Sequence, residues 1–134
     1  MKILADTHIV LWALLDNGKL PKKAHITMSN AENEVYFSAV SVWEIAMKHA
    51  AHPDELPFTG EAFYNLCLQS GLRLSEPRIS HILAFESLHR AEGAPAHKDP
   101  FDKLLIAQAK TEGMLFLTHD SLLDGYQEPC VMVV

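Results

Sequence analysis

Short apolar runs of strand length alternate with longer helix-patterned segments along the whole chain, and this alternation constrains the fold more than any other feature. Residues 2–5 (KILA) read as a buried strand, followed by a nearly unbroken apolar helix over 7–15 that Asp16, Asn17 and Gly18 stop. A second helix is expected over 21–32, with Pro21 in its first turn. The unit then repeats: a strand over 35–38 and a helix over 41–50, where Val42, Ile45, Ala46 and His49 recur at helical spacing. A helix over 59–70 ended by Gly71, a brief strand over 72–74 and a helix over 78–89 come next. After a loop around Gly93, Ala94 and Pro95, residues 100–112 form the clearest helix, stopped by Gly113. A fourth strand over 114–117, a helical turn over 121–124 and a closing strand over 131–134 complete the reading.

Strands and helices in alternation need right-handed crossovers, which lay helices on both faces of a parallel sheet. The expected fold class is therefore α/β: a three-layer α/β/α arrangement around a central parallel sheet of four to five strands. With 134 residues and no repeat, linker or low-complexity tract, the chain is expected to be a single domain over 1–134. In such folds ligands bind beyond the carboxyl ends of the strands, where the strand order reverses. Residues at those ends are the candidates for function.

Composition narrows the classes. Cys67 and Cys130 are far apart and lack a CxxC spacing, which argues against a disulfide framework or zinc knuckle and fits a reducing cytoplasm. No apolar run approaches the roughly 20 residues that span a bilayer, and MKILAD lacks a signal-peptide layout, so a soluble, unexported protein is expected. The net charge of −6 disfavours broad gripping of a phosphate backbone. The acidic surplus is instead free to gather where a cation belongs. Hydrophobic residues at 49% leave apolar surface that a partner can cover.

Five acids are candidates, each with an ordinary structural alternative, and Asp6, Glu44, Asp102 and Asp120 fall at or just after expected strand ends or on helices that begin there. Asp6 follows the first strand, where it either caps the next helix or faces the crevice. Glu44, in Ser41-Val-Trp-Glu44, has the form of a capping box with Ser41, and also the spacing for an ion pair with Lys48. Asp99 before Pro100 reads equally well as a helix cap. Asp102 is harder to assign to structure alone, since it sits in the first turn of a helix whose next residues, Leu104 to Ala107, are apolar all round. Asp120 follows the fourth strand and can cap the turn after it.

Their joint placement matters more than any one of them. A parallel sheet can bring Asp6, Glu44, Asp102 and Asp120 to one crevice, where two carboxylates about 4 Å apart repel by about 4 kcal/mol at an effective dielectric near 20. A hard dication relieves that repulsion. Magnesium suits a partly open oxygen-lined pocket facing a phosphate-bearing substrate, and manganese is expected to substitute. Such a site would activate water and stabilise charge in the in-line hydrolysis of a phosphodiester, leaving a 3'-hydroxyl and a 5'-phosphate.

At this point the chain resembles the PIN-domain ribonucleases, and specifically the VapC-like toxins of type II toxin-antitoxin pairs. The resemblance rests on ADTHIVLW, FSAVSVWEIAMK, HKDPFDKLLIAQA and FLTHD, in that order over almost the whole chain. It implies a metal-dependent endoribonuclease in which Asp6, Glu44, Asp102 and Asp120 are catalytic and hold Mg2+ or Mn2+. Asp99 enters as a further metal ligand because the family's block carries that acid. Thr118 would orient a neighbouring carboxylate or water, its alternative being a hydroxyl bonded at a strand end. Relatives usually carry Arg where this chain has Lys103, which trades a planar fork for a point charge. The resemblance further implies an RNA substrate, a homodimer and a cognate antitoxin, and the net charge with the surplus apolar content leads us to expect that the antitoxin offers a basic or apolar segment to the acidic crevice.

The remaining conspicuous residues have ordinary explanations. His49 and His52 lack a nearby Cys or carboxylate to complete a zinc set. His8 and His97 lie beside the acids but are expected to be hydrogen-bonded groups outside the catalytic set. Trp12 and Trp43 could stack bases, yet core packing is expected for both. Three rivals stand beside the ribonuclease. A magnesium-binding flavodoxin-like regulatory module would need an acidic pair after the first strand and a Lys after the last, where this chain has Asp6-Thr7-His8 and no such Lys. A structure-specific DNA nuclease would need added helical clamps, and a catalytically silent PIN-like scaffold would not need the acids.

Overall fold

The computed structural model describes residues 1–16 and 18–134, so the share of the first helix stop assigned to Asn17 lies outside the described residues. Five strands, β1 (Lys2–Ala5), β2 (Glu34–Ser38), β3 (Arg73–Ser75), β4 (Leu115–Thr118) and β5 (Val131–Val133), form one sheet in the order β3-β2-β1-β4-β5. Every pairing is parallel. The helices between them are α1 (Thr7–Leu15), α2 (Lys22–Ser29), α3 (Ala39–Ala51), α4 (Gly60–Gln69), α5 (Ile79–Glu86) and α6 (Pro100–Glu112), with a 3-10 turn at Ser121–Tyr126.

Alternation along the strands separates two cores, as expected for a sheet covered on both faces. Ile3, Ala5, Phe37 and Leu117 pack with Ile9, Val10, Ala24, Ile45, Phe63 and Cys67 on the side of α1 to α4. Leu4 and Phe116 point the other way, onto Leu105, Ile106 and Ala109 of α6, together with Leu88 and Leu123. This is the α/β/α sandwich that the sequence pattern predicts, with five strands.

The sheet grows from β1 through β2 to β3 on one side, then from β1 through β4 to β5 on the other, so strand order reverses beside β1. Register carries the site from there. Ala5 pairs with Leu117, which leaves Asp6 and Thr118 side by side where β1 and β4 end. The Asp6 amide still donates to Leu117 O at 2.9 Å, so the acid is fixed to the sheet edge by backbone before its side chain makes any contact.

Element ends follow local chemistry. Asp99 caps α6 and Pro100 supplies its first position, while Gly113 ends it at φ 68°, a left-handed conformation that a side chain resists. α3 begins two residues before the expected start, because Ser38 at the end of β2 is itself the cap and accepts from the Val40 amide at 3.0 Å. α2 and α5 are shorter than expected. Pro21 is the cap residue of α2 rather than its first turn, and Ser87 ends α5 with its hydroxyl on Ala84 O at 2.7 Å. Cys67 and Cys130 are both free thiols, and no helix among the described residues is long and apolar enough to cross a membrane.

One buried polar link holds the sheet's carboxyl edge to α6. The fully buried Gln108 accepts from Ser38 Oγ at 2.7 Å and donates through Nε2 to Ser75 O at 3.1 Å and Ser75 Oγ at 2.9 Å. Gln108→Ala leaves those serine groups unsatisfied and opens a void, so a loss of about 2–4 kcal/mol in unfolding free energy is expected by urea titration. A loss under about 0.5 kcal/mol would mean the link is slack.

Candidate active site

Asp6 is fully buried at the end of β1. Its Oδ1 accepts the Thr7 amide at 2.7 Å and its Oδ2 accepts Thr118 Oγ1 at 2.7 Å, with His8 Nδ1 at 3.6 Å from Oδ2. Burial pushes the carboxyl above its ordinary range, against the lowering effects of His8 and the two hydrogen bonds, and the charge of Glu44 raises it further. Thr118 also accepts the Asp120 amide at 3.1 Å, so one hydroxyl ties two of the acids to β4.

Glu44 faces inward from the middle of α3 and is 4% exposed. The expected capping box with Ser41 is not formed. Because α3 starts at Ala39, Ser41 falls inside the first turn, is buried, and takes a hydrogen bond from Thr7 Oγ1 at 2.8 Å. Glu44 is thereby released to pair with Lys48, whose Nζ lies 2.6 Å from Oε2. Oε1 is buried and has no hydrogen-bond partner among the described residues. An unpaired buried carboxylate oxygen is costly, which makes this atom informative.

Asp102 in the first turn of α6 is the electrostatic centre. Its carboxyl is pushed up to about 8 by burial first, then by the charges of Asp6, Asp99, Glu44 and Asp120. The four other acids singled out in the sequence are thus close enough for their charges to act on Asp102. Asp99 remains a helix cap, with Oδ1 accepting Phe101 N at 2.9 Å and Asp102 N at 3.4 Å. Asp120 caps the 3-10 turn through Leu122 N at 3.0 Å. Lys48 is the cation that answers them. Partial burial lowers its pKa, but the hydrogen bond and charge of Glu44, then Asp99 and Asp102, outweigh that and raise it.

The tightest group contains a residue left out of the expected set. One ligand atom each from His97, Asp102 and Asp120 lie within 4.8 Å of one another. His97 sits in the loop before α6, where no periodicity marks it, and its position beside Lys98 and Asp99 was the sole hint. Asp6 and Glu44 lie outside that closest group and reach it through their charges. The donor set of carboxylate oxygens, one imidazole and an orphaned Glu44 oxygen fits a divalent cation, since a dication removes both the mutual repulsion and the unsatisfied atom.

One other expectation changes. Trp43 is 56% exposed rather than in the core, with Met47 exposed beside it, because α3 buries the face carrying Val40, Ser41, Glu44 and Ile45. The Trp43 ring meets Phe101 edge-on at 4.8 Å. Trp12 does pack partly buried against the first core. Lys103 places its ammonium over the Phe85 ring at 4.3 Å. His49 bonds to Leu56 O through Nδ1 at 2.7 Å.

Among solved structures, similar folds include VapBC2 from Rickettsia felis bound to a DNA fragment from its promoter, with a TM-score of 0.70 and 14% identity, covering 100% of this chain and 98% of that one. VapBC-1 from nontypeable Haemophilus influenzae aligns with a TM-score of 0.58 at 15% identity over 95% of this chain and 91% of that one. VapC20 from Mycobacterium tuberculosis, a sarcin-ricin loop cleaving toxin, aligns at 0.53 and 18% identity over 84% of this chain and 85% of that one. No curated protein matches the chain in sequence. A match to the PIN domain family extends over residues 3–128 and takes in every acid of the site. With that match and a sheet that delivers those acids to its switch point, the chain belongs to the PIN domain family.

Proposed function

We propose that the protein is a divalent-metal-dependent endoribonuclease, the toxin of a type II toxin-antitoxin pair. The observation that carries the reading is the convergence of Asp6, Glu44, Asp99 and Asp120 on Asp102 at the reversal point of the sheet, with Glu44 Oε1 left without a partner. Asp6, Glu44, Asp102 and Asp120 are the residues that would hold Mg2+ or Mn2+, with Asp99 as a further candidate. When bound, the ion offsets charge developing on the phosphoryl oxygens and eases deprotonation of water.

The chain's own groups set the geometry. Thr118 and the Thr7 amide fix both oxygens of Asp6, so this carboxylate has little freedom to swing when substrate arrives. Lys48 holds Glu44 Oε2 and leaves Oε1 facing inward. Exposed Lys98 just before the helix that carries Asp102 and half-buried Lys103 in its first turn are positive charges beside the site on an otherwise acidic protein. The likeness to VapBC2 and VapBC-1 supports a cognate antitoxin for this chain, and the likeness to VapC20, a sarcin-ricin loop cleaving toxin, supports an RNA substrate; a homodimer is proposed on the family resemblance alone.

The test is cleavage of a mixed RNA pool by the purified chain with magnesium, with manganese and with a chelator, with end mapping of the products. Cuts leaving 3'-hydroxyl and 5'-phosphate ends are expected with either metal and none with chelator. Asp6→Asn is expected to lower the rate by about a hundredfold or more, since it removes a fixed charge from the site. Cleavage that survives the chelator, or an unchanged Asp6→Asn variant, defeats the reading.

A further inference from the structure

We infer that His97 supplies an imidazole nitrogen to the divalent ion, and that this gives the site a preference for Mn2+ over Mg2+ that its carboxylates alone would not confer. The inference rests on the metal-dependent reading above and concerns which donors the ion meets.

The geometry of His97 is that of a held ligand rather than a surface histidine. Its side chain is 4% exposed. Nδ1 lies 2.6 Å from the Tyr126 hydroxyl, and the two rings meet edge-on with centroids 5.4 Å apart. Tyr126 is itself braced by Arg90, whose guanidinium carbon stands 4.7 Å from the ring centroid. Arg90 in turn donates to Pro95 O at 2.7 and 3.0 Å and to Leu122 O at 2.6 Å. Gly125 is part of the same brace, because a Cβ there would collide with that guanidinium.

With Nδ1 committed to Tyr126, Nε2 is the nitrogen turned toward Asp102 and Asp120. It stands 3.3 Å from Asp102 Oδ2. A charge-assisted N–H to carboxylate bond closes to about 2.7–2.9 Å, so this contact is loose for a direct pair. Metal binding through Nε2 requires the tautomer in which Nδ1 carries the proton and donates it to the tyrosine oxygen, so that Nε2 presents a lone pair to two carboxylates. That arrangement is unfavourable without a cation between them. Histidines that bind metal through one nitrogen characteristically have the other fixed by a hydrogen bond, which sets tautomer and ring orientation. The buried Glu44 Oε1 without a hydrogen-bond partner is an independent unsatisfied acceptor on a residue whose charge acts on Asp102.

The consequence is selectivity. Mg2+ takes oxygen ligands in strict octahedral geometry and sheds water reluctantly, whereas Mn2+, although also served by carboxylates, is a transition ion that accepts an imidazole nitrogen more readily than Mg2+ does. Calorimetry without RNA is expected to give Mn2+ at least about tenfold tighter binding than Mg2+. His97→Gln should lower Mn2+ affinity about tenfold or more while Mg2+ affinity moves less than about threefold. Tyr126→Phe tests the positioning role, with a smaller loss for Mn2+ only. Pulsed electron paramagnetic resonance of the wild-type Mn2+ complex should show histidine nitrogen coupling, identified with nitrogen-15 histidine labelling, and this reading holds even if His97→Gln fails to fold. A Mn2+ complex with oxygen couplings only, or equal losses for both metals in His97→Gln, overturns the inference and leaves the ribonuclease reading standing. A wild-type protein that binds neither ion overturns both.

Discussion

Asp102→Asn is expected to reduce RNA cleavage on the order of a thousandfold and, at the same time, to make the metal-free protein more stable above pH 8. The two halves share one cause. Asp102 sits mostly buried among four other acids and holds its proton up to about 8. Above that pH the wild type must keep a charge in surroundings that reject it, and the amide removes that charge while preserving shape. A gain of about 1 kcal/mol would raise the melting temperature by roughly 3–5 °C for a chain of this size. In cleavage the same charge is needed, because it helps hold the ion against a polyanionic substrate. Thermal melts in chelator at pH 8.5, beside single-turnover cleavage, provide the check. A variant that loses both activity and stability would show Asp102 to be a structural residue, and one that keeps its activity would remove it from the site.

This opposition between stability and activity is what a sequence can suggest but not locate. The strands were legible because KILA and LFLT must be buried on two faces, and α6 because Asp99-Pro100 at one end and Gly113 at the other punctuate it. The meeting of Asp6 with Thr118 was not legible from spacing, since 112 positions separate them and the register of β1 on β4 brings them together. Glu44 was read as half of a capping box because Ser41 has the right offset. Ser38, which the register of β2 on β3 places at the end of its strand, takes the cap instead. His97 opens the HKDPFDKLLIAQA block, yet nothing in that block marks it as part of the site, as a loop residue has no period and its partner Tyr126 lies 29 positions away. Trp43 failed the other way: its i, i+4 partner Met47 suggested a core stripe, yet both lie on the outer side of α3.

The second large effect expected is a reversal, on adding metal, of how stability depends on pH. Asp6 and Asp102 both have folded-state pKa values raised above their unfolded values. A carboxyl of this kind binds its proton more tightly when folded, so metal-free stability should fall as pH rises from the unfolded value toward the folded one. Each such group contributes a slope of at most about 1.4 kcal/mol per pH unit. His97 acts in the opposite sense, since burial lowers its pKa, and its contribution is complete above about 6.5. Lys48 and Cys67, both raised, matter only above about pH 9, and Glu112, lowered by its bond from His81, only in acid. Between pH 6.5 and 8 the site carboxyls therefore dominate the resolved shifts, and the melting temperature in chelator should decline across that window. A divalent ion at a hundred times its dissociation constant adds about 2.7 kcal/mol. Because binding expels the protons that Asp6 and Asp102 retain, that increment should grow with pH and turn the decline into a flat or rising profile. The measurement is a melting series in chelator and in saturating Mn2+ at half-unit pH steps. A level profile in chelator, or a metal increment equal at pH 6.5 and pH 8, would mean that the acids are too far apart to share one cation.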